Sequence, residues 1–276
     1  MLSLREVERL RAQRCLRQGK RKVRTQAEAA DFINEVGFAT LMGVPEMQVP
    51  DLSAASVNPG WHVDSSKWWW GWKQTLPGKK ACFYAKILRG RGTFISWQMF
   101  PYFFAVNGDK GPYEEEWTAG LVSRDEKRIL DILSSKGPML TDALRLAFGP
   151  RGKSNTAAFH RALGGLQSRF RVTVCGGDLS GWSMHRWALV EDWAPRHVMR
   201  KARRASLAEA LEALVLRLLE NVVIAAPADI AWLFSWPRAT AQDTARSLIS
   251  KGLVVETKVK GLEGRYLALA RAKSSG

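Results

Sequence analysis

The sequence predicts a mainly α-helical protein with small β ribbons, organised as tandem winged helix-turn-helix modules. Three observations carry that prediction. From Ser123 onward, hydrophobic spacing gives three successive helices and then two alternating strands around a glycine-containing turn. From Ser206 the same order recurs with different residues. The chain is also strongly basic, with 42 Lys and Arg against 26 Asp and Glu for a net charge of +16, the balance of a protein that meets a polyanion. Its 276 residues suffice for one large domain or two to three small ones.

Residues 1–118 form an N-terminal helical, aromatic-rich region. "SLREVERLRAQRCLRQGKRKVR" reads as an amphipathic helix running into a basic tail, and its Lys20, Arg21, Lys22 and Arg24 are candidates to grip phosphates. "TQAEAADFINEVGFATLMG" places Ala30, Ile33, Val36 and Phe38 at helical spacing, with Thr25 able to cap the start. A loop rich in Pro, Ser and Asn follows over 44–60, then "KWWWGWK" at 67–73 and a further aromatic stretch. "NGDKGPYEEEW" at 107–117 reads as a linker or exposed loop, and Glu114, Glu115 and Glu116 as a solvated acidic patch.

Residues 119–195 form the first clear module. "SRDEKRILDILSSKG" turns Ile129, Leu130 and Leu133 inward, and "LTDALRLAFG" is a short second helix with Thr141 as a candidate cap. "SNTAAFHRALGGLQSRF" is the third helix, with Ser154 as its candidate cap, and "RVTVC" and "MHRWALV" form the ribbon. Residues 196–276 begin with the acid-free connector "PRHVMRKARR" and repeat the pattern. "SLAEALEALVLRLLE", "PADIAWLF" and "PRATAQDTARSLISKG" are its helices, and "LVVETKVKGLEGRYLALA" is its ribbon.

In such modules the third helix enters the major groove and the wing touches the backbone. Candidate contacts on the first clear module are Arg151, Lys153, Asn155 and Arg161, with Thr156, His160 and Gln167 also facing outward. On the second they are Arg238, Gln242 and Arg246, with Lys258, Lys260 and Arg265 on the wing. The connector adds Arg200, Lys201, Arg203 and Arg204. The partner expected from these residues is double-stranded DNA. The bland alternatives are a solvated connector and modules that dock proteins or serve structure alone.

Other classes fit poorly. Cys15, Cys82 and Cys175 form no CxxC pair and no histidine supplies a second ligand at zinc spacing, so neither a metal nor another cofactor is expected. Walker, nucleophile-elbow, HExxH and dinucleotide-binding signatures are absent, and "RGRG" at 89–92 reads as a turn or basic edge. No apolar run approaches a membrane span and the N-terminus has no signal-peptide core, so the expected location is cytoplasmic, nucleoid-associated when DNA-bound, with no obligate protein partner.

"KWWWGWKQTLP", "KILRGRGTFIS" and "FPYFFAV", followed by tandem modules, resemble the AlkZ and YcaQ-like winged-helix DNA glycosylases, in particular the divergent AlkZ-related branch. The resemblance implies three tandem units around duplex DNA, the N-terminal region being a cryptic third winged helix. It also implies metal-free excision of bulky alkylated bases by N-glycosidic hydrolysis. The family motif, Gln-hydrophobic-Gln or Gln-hydrophobic-Asp after the first N-terminal helix, falls on Thr40 and Met42 of "EVGFATLMG", neither of which orients a water. From the residues alone, Gln48 and Asp51 of "MQVPD" are the candidate catalytic pair, a water-orienting amide and a carboxylate, against the alternative of a polar turn. The competing function is a non-catalytic DNA-binding regulator or lesion-binding accessory. The tryptophan block is expected chiefly to knit the N-terminal unit to its neighbours, with Lys67 or Lys73 near phosphate.

Overall fold

Thr25, Ser123 and Ser206 each precede a helix, and each side chain accepts a hydrogen bond from the backbone N–H three residues on, at 3.2, 3.3 and 3.2 Å. The third residue is a glutamate every time, and in the first two cases its carboxylate returns to the capping residue's own N–H. The computed structural model, which describes residues 3–16, 21–57, 69–178 and 184–270, shows that these caps open three copies of one topology.

After α1 (Leu4–Leu16), the first copy comprises α2 (Gln26–Val36), β1 (Phe38–Thr40), α3 (Leu52–Ala55), α4 (Trp69–Gly78), β2 (Phe83–Lys86) and β3 (Gly92–Ile95). Two helices, α5 (Phe100–Asn107) and α6 (Tyr113–Thr118), lead to the second: α7 (Arg124–Lys136), β4 (Met139–Leu140), α8 (Thr141–Phe148), α9 (Lys153–Ser168), β5 (Val172–Asp178) and β6 (Met184–Leu189). Then α10 (Val190–Trp193) and α11 (Arg196–Arg204) lead to the third: α12 (Leu207–Val222), β7 (Ile224–Ala225), α13 (Pro227–Phe234), α14 (Arg238–Ser250), β8 (Val254–Thr257) and β9 (Tyr266–Leu269). The three antiparallel sheets run β1-β3-β2, β4-β6-β5 and β7-β9-β8, so the last strand of each copy is central.

Two backbone positions recur with the copies. The first helix of each ends at a residue with positive φ: Gly37 at 81°, Gly137 at 71° and Val223 at 73°. Each third helix ends in a second such turn at Lys80, Phe170 and Gly252. The following residue then donates to the carbonyl five back, Ala81 to Leu76, Arg171 to Leu166 and Leu253 to Leu248. Sequence position alone predicts caps at Thr141 and Ser154, and the structure corrects both. Leu140 and Gly152 are the N-caps, and Thr141 Oγ1 instead donates to the His185 carbonyl at 3.1 Å.

Val223 is the exceptional member of its set, because a β-branched residue is strained at positive φ. Its side chain nevertheless packs with Val7, Ile224 and Val259. Strain relief and lost burial, each about 1–3 kcal/mol, oppose one another in Val223→Gly, whereas Val223→Ala loses packing and keeps the strain. Thermal unfolding is therefore expected to rank Val223→Gly above Val223→Ala, the reverse of their apolar volumes.

The copies share their cores. One cluster joins α2, α3 and α4 of the first to α7, α8 and α9 of the second through Phe32, Trp72, Ile129 and Phe159. Another joins β2 and α5 to α11, α12 and α13 through Phe83, Phe103, Leu214 and Phe234. The N-terminal helix α1 seals the third copy: Arg11 Nε donates to the Val222 carbonyl at 2.9 Å, Arg14 to Glu220 at 2.6 Å and Cys15 Sγ to Asn221 at 3.4 Å. These are the open carbonyls at the negative end of α12, so two of the chain's N-terminal cations are engaged in structure.

The stretch 107–117, expected as a linker or loop, contains α6 and is fastened down. Arg171, buried at 8% exposure, holds Asp109 at 3.2 Å, donates to the Gly111 carbonyl at 2.8 Å and pairs with Glu116. Arg169 bridges Asp109 at 3.4 Å and Glu126 at 2.8 Å. Glu116 thus leaves the solvated patch that the sequence suggests, while Glu114 and Glu115 remain exposed.

Candidate nucleic-acid interface

Helix α11 is amphipathic by charge. Val198, Met199 and Ala202 are buried, and the helix lies against α5, while Arg196, Arg200, Lys201, Arg203 and Arg204 are all exposed. None of the five makes an ion pair among the described residues, although Lys201 Nζ lies 5.6 Å from the Tyr102 ring centre. Five cations on a short helix repel one another, and a polyanion relieves that repulsion.

Around the third helices, Arg151, Lys153 and Arg161 at α9 and Arg238 and Gln242 at α14 are exposed. Asn155 turns back, its Nδ2 donating to the Pro150 carbonyl at 3.1 Å. Arg246 is paired with Asp243, the acid on the same helix face, and Arg265 with Glu256 at 3.0 Å. Lys258 and Lys260 are exposed on the third ribbon, and the Lys260 carbonyl accepts from Leu4 N–H at 3.0 Å. Gln167, expected outward, is buried because its amide crosses to the first copy: Oε1 accepts from Lys86 N–H at 3.0 Å and Nε2 donates to the Leu163 carbonyl at 3.2 Å.

In the basic tail, Arg24 is exposed, Arg21 pairs with Glu35 at 3.3 Å, and Lys22 Nζ donates to the Ala54 carbonyl. Lys20, Lys67 and Trp68 lie outside the described residues. The rest of the tryptophan block opens α4. Trp69 and Trp72 are 2% and 3% exposed within the core shared by the first two copies. Trp70 is half-buried beneath Lys73, whose ammonium stands 3.2 Å from the ring centre. Burial pulls the Lys73 pKa down to about 8, and the side chain is no phosphate contact in this position. "RGRG" is a turn whose Arg89 reaches α13, donating to the Trp232 carbonyl at 3.4 Å and Ser235 Oγ at 3.2 Å.

The chain after β1 holds the polar residues that the sequence marks as candidates for chemistry. Thr40 is fully buried, its hydroxyl donating to the Pro50 carbonyl at 3.2 Å, while Met42 is 38% exposed. Gln48 and Asp51 share a hollow of about 280 Å³, walled also by Leu16, Gly43, Val44 and Met47. Asp51 is the N-cap of α3. Its Oδ1 accepts from Ser53 Oγ at 2.8 Å and Ala54 N–H at 3.2 Å. Oδ2 lies where a side chain on residue 43 would collide, 2.8 Å from the position of a Cβ on Gly43, so glycine there lets the carboxylate approach the backbone. Burial raises the Asp51 pKa, against hydrogen bonds from Ser53, Ala54 and Gly43 that lower it.

Among the described residues, no cluster of His, Cys, Asp or Glu could hold a metal ion, and no helix is long and apolar enough to cross a membrane. Fold and surface together define a mainly helical protein of three sheet-bearing repeats with a cationic connecting helix. Residues 23–235 match the family model described as AlkZ related, and the chain belongs to that family. It also superposes on the DNA glycosylase AlkZ of Streptomyces sahachiroi with a TM-score of 0.61 and 14% identity, over 98% of this chain and 70% of that one. At that identity the likeness establishes the fold. Comparison with curated proteins gives no match.

Proposed function

We propose that the three repeats are winged helix-turn-helix modules, bounded at 1–118, 119–195 and 196–276, that bind duplex DNA and excise bulky alkylated bases by N-glycosidic hydrolysis. The observation that carries the binding is the exposed cationic face of α11, which opens the third module and makes no ion pair among the described residues. Arg151, Lys153, Arg161 and Arg238 extend the cationic surface to the third helices. Family membership and the likeness to a DNA glycosylase support the chemistry. An alkylated base is already a good leaving group, so the protein needs chiefly to place a water and stabilise the cationic sugar. Asp51 would supply the carboxylate and Gln48 the amide that orients the water.

The test is release of base from alkylated duplex, read as abasic sites, beside binding measured over a range of salt. Binding is expected to weaken steeply as salt rises. Asp51→Asn keeps the capping oxygen and removes the charge, at the cost of the Gly43 hydrogen bond, so release is expected to fall by about 100-fold or more while binding holds and the melting temperature drops only slightly. The sign of the pH effect follows from the raised pKa: protonation as pH falls through it removes the base form, so release by the unaltered protein slows towards acid. Unchanged release in Asp51→Asn rules out that carboxylate.

A second reading has its own support. Thr40 is sealed and Met42 is apolar at the two places where the family motif falls, which favours a non-catalytic, lesion-binding protein. Duplex binding with no abasic product across several lesions would establish it.

A further inference from the structure

Asp51 stands where two cores meet. Val44, Met47 and Val49, just before it, pack with the cluster that holds α12, whereas Leu52 and Ala55, just after it, belong to the cluster shared by the first two repeats. The N-terminal helix α1 lies at this junction, against both α12 and α3. In its last turn, Cys15 touches both members of the proposed catalytic pair. Its carbonyl, one of the four that a helix leaves open at its C-terminal end, accepts the Asp51 N–H at 3.3 Å. Its thiol, wholly buried, donates to the Asn221 carbonyl at 3.4 Å and lies 4.0 Å from the Gln48 carbonyl. Leu16, the next residue, walls the hollow itself.

The hold extends into the third repeat. Asn221 Nδ2 donates to the Val36 carbonyl at 2.8 Å, just ahead of the Gly37 turn into β1, so this one residue of α12 braces the chain on both sides of the pair. At the far end of α1 the Leu4 N–H donates to the Lys260 carbonyl on the third ribbon at 3.0 Å. Burial pushes the Cys15 thiol pKa up to about 12, so the group stays a protonated donor and is no nucleophile. Ser53 Oγ and the Ala54 N–H aim the Asp51 carboxylate relative to α3, but only the Cys15 contacts set that end of α3 against α12.

We propose that α1 is a strap that positions the hydrolytic site: Cys15 holds the segment carrying Gln48 and Asp51 against Asn221 of the third repeat, and the hollow keeps its shape only with that helix in place. Cys15 is a positioning residue and takes no part in bond cleavage. Its importance for catalysis rests on the hydrolytic roles proposed above for Gln48 and Asp51, whereas its hold on the segment does not.

Two measurements on the full chain separate the strap from the chemistry. Cys15→Ala removes the thiol donor, and Cys15→Ser restores a donor in nearly the same place. Amide hydrogen exchange across 44–51 is expected to quicken about tenfold in Cys15→Ala, to stay near the unaltered rate in Cys15→Ser, and to leave β1 unchanged. Base release from alkylated duplex is expected to fall about tenfold or more in Cys15→Ala, because small displacements of an orienting group slow the reaction steeply. Duplex affinity should hold, and Cys15→Ser should recover most of the rate. The pH profile moves as well. A loosened segment admits water to Asp51, its raised pKa relaxes towards the ordinary aspartate range, and the acid slowing of release shifts to lower pH. If Cys15→Ala fails to fold by circular dichroism, Arg14→Ala takes its place. That exposed change cuts the strap's bond to the Glu220 carbonyl, and the same quickening across 44–51 is expected.

Exchange unchanged across 44–51 in the folded variants, or a rise shared by β1, overturns the proposal. Release that survives Asp51→Asn refutes the hydrolytic role of that carboxylate, and the exchange rates then still decide whether α1 holds the segment. Release lost in Asp51→Asn but untouched in Cys15→Ala keeps the chemistry and removes the strap.

Discussion

Replacing Arg200, Lys201, Arg203 and Arg204 together with alanine is expected to lower duplex affinity on the order of a thousandfold at 0.1 M salt, and to flatten the salt dependence. Each phosphate contact releases condensed counterion and contributes a slope of about −0.9 in log K against log salt, so four lost contacts reduce the slope by about 3 to 4. The fold should survive, since all four side chains are exposed and the buried face of α11 is Val198, Met199 and Ala202. Arg203 does line a small cavity beside Asp109, so the melting temperature is the control. Titrations at several salt concentrations read both quantities. If the variant keeps its slope, α11 does not lie on phosphates, however basic it is. The loss should also be alike on different sequences, because phosphate contacts carry position and not base identity.

What could be read in advance divides along physical lines. The second and third repeats are legible because each helix turns one face to a core, so Ile129, Leu130 and Leu133, or Leu214, Val215 and Leu218, recur at helical spacing and are buried. The first repeat hides the same topology for two reasons. Its second helix, α3, is a single turn, too short to show a period. Its third, α4, is buried both against its own repeat and against β5, so Trp69, Trp72 and Leu76 are joined by buried Lys73 and Gln74 and no polar face remains. The polar residues after β1 are visible in sequence, but their roles are not: nothing local says that Asp51 caps α3 or that Thr40 is sealed. Gln167 looks outward on its own helix, and only the approach of Lys86 from another repeat makes it a buried amide.

That dependence on contacts between repeats underlies the largest stability effect expected, from Arg171→Ala. Arg171 is one of the few buried charges, and it holds Asp109, Glu116 and the Gly111 carbonyl at once, tying 109–116 to the strand end that begins the second ribbon. Truncating one partner of a buried ion pair leaves the other charges desolvated without compensation, which costs about 3–5 kcal/mol. Denaturant unfolding should therefore show a loss of that size, far beyond the ordinary cost of a surface arginine. The pH dependence identifies the cause. Burial raises the Asp109 pKa above the ordinary aspartate range even with Arg169 and Arg171 opposing it, and removing Arg171 raises it further. A carboxyl with a raised folded pKa binds its proton more tightly in the folded state, so acid stabilises the fold relative to neutral pH. The deficit of Arg171→Ala should accordingly shrink as pH falls from neutrality through the raised pKa towards the ordinary aspartate range. Asp109→Asn in the same chain should recover part of the loss at neutral pH, because the uncompensated charge is then gone. A deficit that is flat with pH and indifferent to Asp109→Asn would mean that Arg171 acts through packing of its stem and its bond to Gly111, and the ion-pair lock would lose its electrostatic basis.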